Sequence, residues 1–322
     1  MKPLELGPNQ IRRFYRGGRR ISEFRRLPSS GDDAPEDWVA SSTSVFGDGG
    51  IGPTRLEDGV LLGDVLAGER EAFFEPAHLA RFGSEPGILI KLLDAGERLP
   101  LHFHPDGDFA SAHLRQAYGK TEAWIILDAE ADAHVHVGFS RDVAEDELAK
   151  LAADQDVEAM LDAMHPLPVR AGDSIFVPAG LPHAIGEGIL LLELQEPSDL
   201  SLLLEWEGVM PEDRALLGLP RTLALSAVTR SAVDLRRLTA TRRATLFPEE
   251  ADAFFRADVV GGGAVLEPSF SVLIGYTGEG AVLTDSDTLA VRRGSTVLVP
   301  FAAGPVELTG SFRAIRCRAP LF

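Results

Sequence analysis

Two histidines, His102 and His104, stand on alternate positions of the short apolar run LPLHFHPDGDF at residues 99–109, which then turns at Pro-Asp-Gly. Successive side chains of a β-strand point to opposite faces, so residues two apart point the same way. The two imidazoles are therefore expected to converge. Converging imidazoles can bind a transition metal, although such a pair can also be polar residues on a solvated face.

Two further residues could complete a metal site. Glu122 in YGKTEAWIIL shares a strand face with Trp124 and Ile126, so its carboxylate would line an apolar interior, where an unpaired charge is costly and a cation is a natural partner. His183 follows a proline-marked turn in PAGLPHAIGEG and begins a strand. Three imidazoles and one carboxylate suit zinc, manganese, iron or nickel better than magnesium or calcium. The sequence predicts one divalent metal with four ligands: His102, His104, Glu122 and His183.

The remaining histidines are interpreted as structural. His134 and His136 in AHVHVGF form a second His-x-His pair, but no strand glutamate and no turn histidine follow them. We therefore expect them to be exposed strand residues or a pair with partners of its own. His78, His113 and His165 stand in helical or loop contexts.

The elements that must position these residues are mainly strands. Glycine and proline separate short apolar stretches through much of the chain, which is typical of a β-rich fold. Two segments predict helices, 56–83 and 144–164, and in the second of them apolar residues recur with helical spacing. We expect a mainly β fold with helical insertions.

An internal repeat divides the chain. The segments VRAGDSIFVPAGLPHAIGEG (169–188) and VRRGSTVLVPFAAGPVELTG (291–310) align without a gap, and each predicts a turn glycine, a strand, a proline stop and a second strand. That is the pattern of half a jelly-roll barrel made twice. His183 aligns with Pro305, so the second barrel is expected to bind no metal. The predicted division is a barrel with helical insertions at 1–208, a partly helical connector at 209–239 and a second barrel at 240–322.

Composition excludes several function classes. A formal net charge of −18 over 322 residues argues against nucleic acid and against anionic membranes as partners. No apolar run reaches the ~20 residues that span a bilayer. The N-terminus is rich in arginine but is followed by no hydrophobic segment, so we expect a basic segment folded onto an acidic body rather than a secretion signal. Cys317 is the single cysteine, which fits a reducing, cytoplasmic setting.

The metal-site motifs carry a family resemblance. LIKLLDAGERLPLHFHPD, YGKTEAWIILDAEADA and VRAGDSIFVPAGLPHAIGEGILLLELQEPSD resemble the type I mannose-6-phosphate isomerases, which are zinc proteins of the cupin superfamily. The resemblance extends from FYRGG and PEDWVASS near the N-terminus to the second barrel. It implies two cupin barrels, of which the second is degenerate, and one zinc ion. It also implies interconversion of mannose 6-phosphate and fructose 6-phosphate through a cis-enediol. The family's Gln, His, Glu and His ligands fall, by motif position, on His102, His104, Glu122 and His183.

The chain departs from the family in three places. The first ligand is His102 where the family has Gln, and Arg16-Gly17-Gly18 stands where the family has Trp-Gly-Gly. Where the family has an arginine after its QxxSD segment, QEPSDLSLLLEW has Leu203, and Arg98 or Arg115 could substitute for that arginine. The loss leaves two alternatives open. One is a related cupin isomerase or epimerase acting on a different sugar, for example an unphosphorylated one. The other is a cupin that binds sugar without catalysis.

Three residues are candidates for the proton transfer that an isomerase needs, namely Lys91 in LIKLLDA, Lys120 in GKTE and Glu193 in LLLELQ. Glu193 lies on an apolar strand, where desolvation would raise the pKa of its carboxyl into a useful range. Its alternative role is structural, as the partner of a metal-bound histidine. Lys120 could anchor an anionic group or pair with Asp106. Lys91 is expected to contact a phosphate or a hydroxyl, and its alternative is a salt bridge in the core. The expected partner is a small sugar or sugar phosphate, and the sequence leaves the oligomeric state open.

Overall fold

In the computed structural model, which describes residues 1–28, 31–239 and 246–320, the strands form four sheets that make two barrels. The strands are β1 (Leu4–Glu5), β2 (Gln10–Ile11), β3 (Glu36–Val39), β4 (Leu89–Ala95), β5 (His102–Phe103), β6 (Glu122–Ala129), β7 (His134–Phe139), β8 (Met164–Pro168), β9 (Ser174–Val177), β10 (His183–Ile185), β11 (Ile189–Gln195), β12 (Leu202–Leu203), β13 (Arg256–Gly261), β14 (Val265–Leu266), β15 (Ser271–Thr277), β16 (Glu279–Leu283), β17 (Thr288–Arg292), β18 (Thr296–Val299), β19 (Val306–Leu308) and β20 (Arg313–Arg318). The helices are α1 (Arg19–Arg25), α2 (Leu62–Gly68), α3 (Arg70–Phe73), α4 (Pro76–Phe82), α5 (Gly107–Phe109), α6 (Glu145–Asp154), α7 (Val157–Asp162), α8 (Glu212–Ala215) and α9 (Arg221–Leu225). The prediction of a mainly β fold is confirmed.

The first barrel consists of two antiparallel sheets that face each other. One has the strand order β2-β3-β4-β11-β6-β9 and the other the order β12-β5-β10-β7-β8. Side chains from both sheets fill the interior, among them Leu93 and Trp124 from the first and Val135 and Ile185 from the second. The interior face therefore contains the residues on alternate positions of each strand.

The central strands β4 and β11 are buried on both faces. Their outer faces, which include Ile90 and Leu192, pack in one cluster with Val272 and Leu298 of the second barrel. A strand covered on both sides reads as a continuous apolar run instead of an alternating one. Lys91 and Glu193 are charged residues within these runs, and they lie directly opposite each other on the two strands.

The second barrel contains the strand orders β1-β18-β15-β20-β13 and β14-β19-β16-β17. Its interior includes Leu273, Val282, Leu308 and Phe312. Strand β1 pairs with β18, although it comes from the start of the chain. The predicted division into 1–208, 209–239 and 240–322 stays a prediction.

The helices lie outside the barrels. The predicted helical segments at 56–83 and 144–164 contain α2 to α4 and α6 to α7, respectively, which confirms both. Leu148 of α6, Met160 of α7 and Ala224 of α9 pack in one cluster with Phe103 of β5, on the outside of the sheet that carries the histidines. Among the described residues, no helix combines the length and the apolar character that crossing a membrane requires.

Candidate metal centre and its cleft

Short strands bring three histidines together. His102 begins β5 and lies directly opposite His183 of β10 on one side and Leu203 of β12 on the other. His104 lies one residue beyond the end of β5. The ring centroids of His102 and His183 are 4.1 Å apart, and those of His104 and His183 are 4.9 Å apart. One ring nitrogen from each of the three residues lies within 4.8 Å of the other two.

Backbone carbonyls orient all three rings. His102 and His183 each donate from Nδ1 to the carbonyl oxygen two residues before, at 2.7 and 2.8 Å, and His104 donates from Nδ1 to the carbonyl of Leu200 at 2.8 Å. A proton on Nδ1 leaves the Nε2 lone pair free to bind a metal. The rings therefore present three Nε2 atoms to one region.

The three imidazoles are neutral at neutral pH. Burial is the largest cause, because it disfavours the charged form, and it lowers the pKa of His183. Burial and the neighbouring His183 and His104 hold the pKa of His102 well below its ordinary value. Burial and the nearby Lys120 ammonium lower the pKa of His104 to about 3. Neutral imidazole is the form that binds a metal.

Glu122 lies against two of these rings. Its Oε2 is 3.1 Å from His104 Nε2, and its Oε1 is 3.4 Å from His183 Nε2. The indole N–H of Trp124, two residues on along the same strand face, donates to Oε1 at 2.9 Å. Burial would raise the pKa of Glu122, but Lys120 and His104 hold it well below its ordinary value. Glu122 is therefore a buried carboxylate anion.

These donors fit a divalent transition metal. Ligands bound tetrahedrally at the usual zinc distances lie about 3.3–3.5 Å apart, close to the two separations between Glu122 and the imidazoles. His183 Nε2 is buried and has no hydrogen-bond partner among the described residues, whereas the buried Glu122 Oε2 pairs with the Lys120 ammonium. A cation beside Glu122 and His183 would give the orphaned imidazole nitrogen a partner. Three nitrogens and one carboxylate oxygen are donors that suit zinc.

A narrow cleft opens beside this cluster. Lys91, Lys120 and Glu193, the residues predicted to take part in proton transfer, all line it, and so does Leu203. The other charged or phenolic residues in its wall are Glu122 of the cluster, Arg13, Tyr15, Glu36 and Asp199.

Lys120 connects the histidine and glutamate cluster to Glu193. Its Nζ is 2.9 Å from Glu122 Oε2, 3.1 Å from His104 Nε2 and 3.6 Å from Glu193 Oε1. The alternative partner suggested by the sequence, Asp106, instead accepts a backbone N–H at the start of α5. Lys120 is therefore part of the histidine and glutamate cluster.

Glu193 lies between two ammonium groups. Lys91 Nζ is 3.3 Å from Glu193 Oε1, and it is also 3.4 Å from Glu36 Oε2. Burial and the nearby Glu122 carboxylate raise the pKa of Glu193 above its ordinary value, although Lys91 and Lys120 oppose this shift. Burial would lower the pKa of Lys91, but Glu193 and Glu36 raise it, so its ammonium stays charged.

The far wall of the cleft, which contains Arg13, Tyr15, Glu36 and Asp199, was not predicted from the sequence. Arg13 forms a forked ion pair with Asp199, at 3.1 and 3.2 Å, and its Nε is 3.2 Å from Glu36. Tyr15 donates to Glu36 at 2.5 Å, and Trp38 donates from Nε1 to Glu36 at 2.6 Å. A repeated Glu-x-Trp pattern could have identified Glu36, since EDW at 36–38 has the same arrangement as EAW at 122–124.

The two arginines offered as substitutes at the position of Leu203 are wrong candidates. Arg98 forms a forked ion pair with Glu205, at 2.6 and 2.7 Å, and neither Arg98 nor Arg115 lines the cleft. Arg115 ends a short π-helical turn and is exposed. Among the described residues that line the cleft, the guanidinium present is that of Arg13.

The fold and the site together define a class: a two-barrel β protein of the cupin type, with a buried cluster of histidines and a glutamate in its first barrel. Comparison with known proteins agrees with this class. No protein-family model matches the chain. The chain is 27% identical to mannose-6-phosphate isomerase ManA of Bacillus subtilis over 270 residues, which cover 80% of this chain and 83% of that protein. Over 203 residues it is 32% identical to mannose-6-phosphate isomerase of Streptococcus mutans, and this match spans 62% of the chain but only 58% of that protein.

Solved structures give the same result for the fold. The crystal structure of mannose 6-phosphate isomerase from Bacillus subtilis aligns over 99% of this chain and 100% of its own, with a TM-score of 0.81 and 22% identity. A mannose 6-phosphate isomerase bound with zinc and yttrium aligns over the whole of both chains, with a TM-score of 0.76 and 14% identity. The chain is thus homologous to the mannose-6-phosphate isomerases, which are sugar isomerases, and it has the phosphomannose isomerase fold. The resemblance predicted from the sequence is confirmed.

Proposed function

We propose that the chain is a metal-dependent aldose–ketose isomerase that interconverts mannose 6-phosphate and fructose 6-phosphate through a cis-enediol. The observation that carries the proposal is the position of Glu193. It is a buried carboxylate with a raised pKa, and it lines the same cleft as His102 and Glu122 of the histidine cluster. The homologous sugar isomerases support the class of reaction.

His102, His104, Glu122 and His183 would hold the metal, and zinc is the first choice on their donor chemistry. A bound divalent metal polarises the carbonyl and hydroxyl oxygens of a sugar. We assign this site to the first barrel alone, because Pro305 stands in the second barrel where the first has His183.

Glu193 is the proposed base. It takes the proton from C2 of the aldose and returns it to C1, while the hydroxyl proton of O2 is transferred to O1, so that the carbonyl ends at C2. A raised pKa suits this role, because a base is most effective when its pKa approaches the working pH. Lys91 and Lys120, on either side of Glu193, stabilise the negative charge that develops on the enediol oxygens.

The test is fructose 6-phosphate formation from mannose 6-phosphate. We expect activity with zinc-loaded protein, loss of activity after chelation and its return on adding zinc. Glu193→Gln should lower kcat by about 10²- to 10⁴-fold, the usual contribution of a positioned base. Glu158→Gln, at an exposed position on α7, is the matched control and should behave as wild type. Absence of fructose 6-phosphate at millimolar substrate, with one equivalent of metal bound, would contradict the proposal.

A second candidate is an isomerase of the same chemistry that acts on an unphosphorylated sugar. Two observations favour it. Leu203 lines the cleft where the family has an arginine. Arg13, Lys91 and Lys120, the cations among the described residues of the cleft, each lie within 4.0 Å of at least two carboxylates. A phosphate would have to compete with these carboxylates for every cation.

The ratio of kcat/KM for mannose 6-phosphate to that for mannose separates the two candidates. A ratio above one favours the phosphorylated substrate, and a ratio below one favours the free sugar. Saturable sugar binding without turnover of any aldose or ketose would favour the non-catalytic cupin instead.

A further inference from the structure

The three histidines of the cluster differ in what orients them. His102 and His183 each donate from Nδ1 to a carbonyl two residues earlier in their own segment. His104 donates to the carbonyl of Leu200, which is 96 residues away in the sequence. His104 also lies beyond the last residue of β5, so strand pairing does not fix it directly. The orientation of its ring therefore depends on a distant loop.

Leu200 belongs to the loop 196–201, which connects β11 to β12 and contains no helix or strand. The Gln195 side-chain amide donates to the carbonyl of Ser198, and the backbone N–H of Leu200 donates to Ser198 Oγ at 3.3 Å. These contacts lie within the loop or its flank. The start of the loop is attached to the barrel by Glu196, whose backbone N–H donates to the Thr121 carbonyl at 3.0 Å and whose carboxylate accepts from the Thr121 N–H at 2.8 Å. The part of the loop next to Leu200 needs a further attachment.

Asp199 attaches the loop to the N-terminal part of the chain. Arg13 donates to both of its carboxylate oxygens, and the backbone N–H of Phe46 donates to Oδ2 at 3.3 Å. Only 14% of the Arg13 side chain and 6% of the Asp199 side chain are exposed. A forked guanidinium–carboxylate pair that is largely shielded from water fixes both distance and direction.

We propose that Arg13 is a positioning residue for the metal ligand His104. By holding Asp199, it keeps the loop 196–201 in the place where the Leu200 carbonyl accepts from His104 Nδ1. The arginine-rich N-terminal segment thereby gains a role, because its Arg13 lies in the cleft of the first barrel. The inference rests on the proposed metal site but not on the reaction assigned to it.

Other contacts hold Arg13 itself in place. Its Nε lies 3.2 Å from Glu36, and Glu36 accepts hydrogen bonds from Tyr15 and Trp38. Burial would lower the pKa of Arg13, but Glu36 and Asp199 raise it, so the charge is permanent. A lysine could keep that charge but could not reproduce the fork.

The experiment measures zinc affinity rather than activity. The full-length protein is stripped with a chelator, and zinc is titrated in competition with a chromophoric chelator. Loss of a partner that orients a ligand costs about 10- to 100-fold in metal affinity, so we expect Arg13→Gln to weaken zinc binding by that factor. Arg16→Gln is the matched control, because Arg16 is three residues further on, is 67% exposed and pairs with Glu97 outside the cleft. It should bind zinc as tightly as wild type.

A second measurement reports on ligand geometry. The visible absorption of cobalt(II) depends on the arrangement of its ligands, so the cobalt-substituted Arg13→Gln protein should differ in spectrum from wild type and from Arg16→Gln. Arg13→Lys should give an intermediate zinc affinity. If Arg13→Gln does not fold, as judged by circular dichroism, Arg13→Lys alone decides the question.

Wild-type zinc affinity together with a wild-type cobalt spectrum in the deciding variant would overturn the inference. So would an equal loss of zinc affinity in Leu66→Ala, a variant in the hydrophobic cluster between the barrels that includes none of residues 196–201, since that would make general destabilisation the cause. If the wild-type protein binds no metal at all, the proposed function fails, and this outcome is distinguishable from failure of the inference alone.

Discussion

Replacement of Lys91 by methionine tests whether the Lys91 ammonium is needed to compensate the buried carboxylates of the cleft. Lys91 is 2% exposed, and its ammonium faces Glu36, Glu193 and, at 3.9 Å, Asp199. Methionine has a similar shape but no charge. It would leave two cations, Arg13 and Lys120, against four carboxylates among the described residues of the cleft.

The expected loss of stability follows from the burial of these groups. Removing one partner of a buried pair costs about 3–5 kcal/mol, because the other charge is left uncompensated. An unfolding entropy of about 2.1 cal/mol/K per residue gives about 0.7 kcal/mol/K for a chain of this length. The Lys91→Met protein should therefore melt about 4 to 7 °C below wild type.

Calorimetry of the chelated proteins measures this difference without the stabilisation that bound metal would add. Lys150→Met is the matched control, since Lys150 pairs with Asp154 at an exposed position on α6, and it should melt within about 1 °C of wild type. The double variant Lys91→Met/Glu193→Gln should recover part of the loss, because it removes a carboxylate that has lost its partner. A melting temperature of Lys91→Met equal to that of the control would refute the reasoning.

Three further predictions concern other parts of the chain. Leu203→Arg should raise the ratio of kcat/KM for mannose 6-phosphate to kcat/KM for mannose by about 10- to 100-fold, as expected for a hydrogen bond to a charged group. Leu203→Met should leave this ratio unchanged. Burial would raise the pKa of Glu36, but Arg13 and Lys91 hold this pKa well below its ordinary value. The ionised Glu36 carboxylate therefore stabilises the fold above pH ~4.5, and this stabilisation is lost as the pH falls below that value. The melting temperature of Glu36→Gln should accordingly fall less steeply than that of wild type between pH 6 and pH 3, and parallel curves would contradict this. Burial raises the pKa of the Cys317 thiol, so a thiol reagent should modify about one group per chain in urea and almost none in the native protein; rapid labelling of the native protein would argue against its burial.

The proximity of the candidate metal ligands was predictable because they lie where strand geometry is visible in the sequence. His102 and His104 are two apart on a strand, and Glu122 shares a face with Trp124, so alternation alone indicates convergence. Glu193 stands out as a charge within an apolar run. Which of its two faces points into the barrel could not be read from that run, since both faces of the strand are buried.

The far wall of the cleft could not be predicted in the same way. Arg13 and Asp199 lie outside regular elements, in segments with no periodic pattern. Their contact joins residues 186 apart, which no local signal encodes. Glu36 lies on a strand of only four residues, too short to show alternation by itself. The pairing of β1 with β18 of the second barrel likewise joins residues far apart in the sequence, and no local pattern predicts it.

That pairing has a consequence for biosynthesis. Leu4 is opposite Leu298, so the ribosome must add nearly the whole polypeptide before the first strand meets its neighbour. At about 5–20 residues per second, the nascent N-terminus waits about 15 to 60 s. A fragment starting after the connector would leave β18 as an open sheet edge, and such edges recruit other chains. Cutting the gene between the barrels should therefore yield a C-terminal piece that aggregates, because it exposes both this edge and the apolar face, including Val272 and Leu298, that packs on the first barrel.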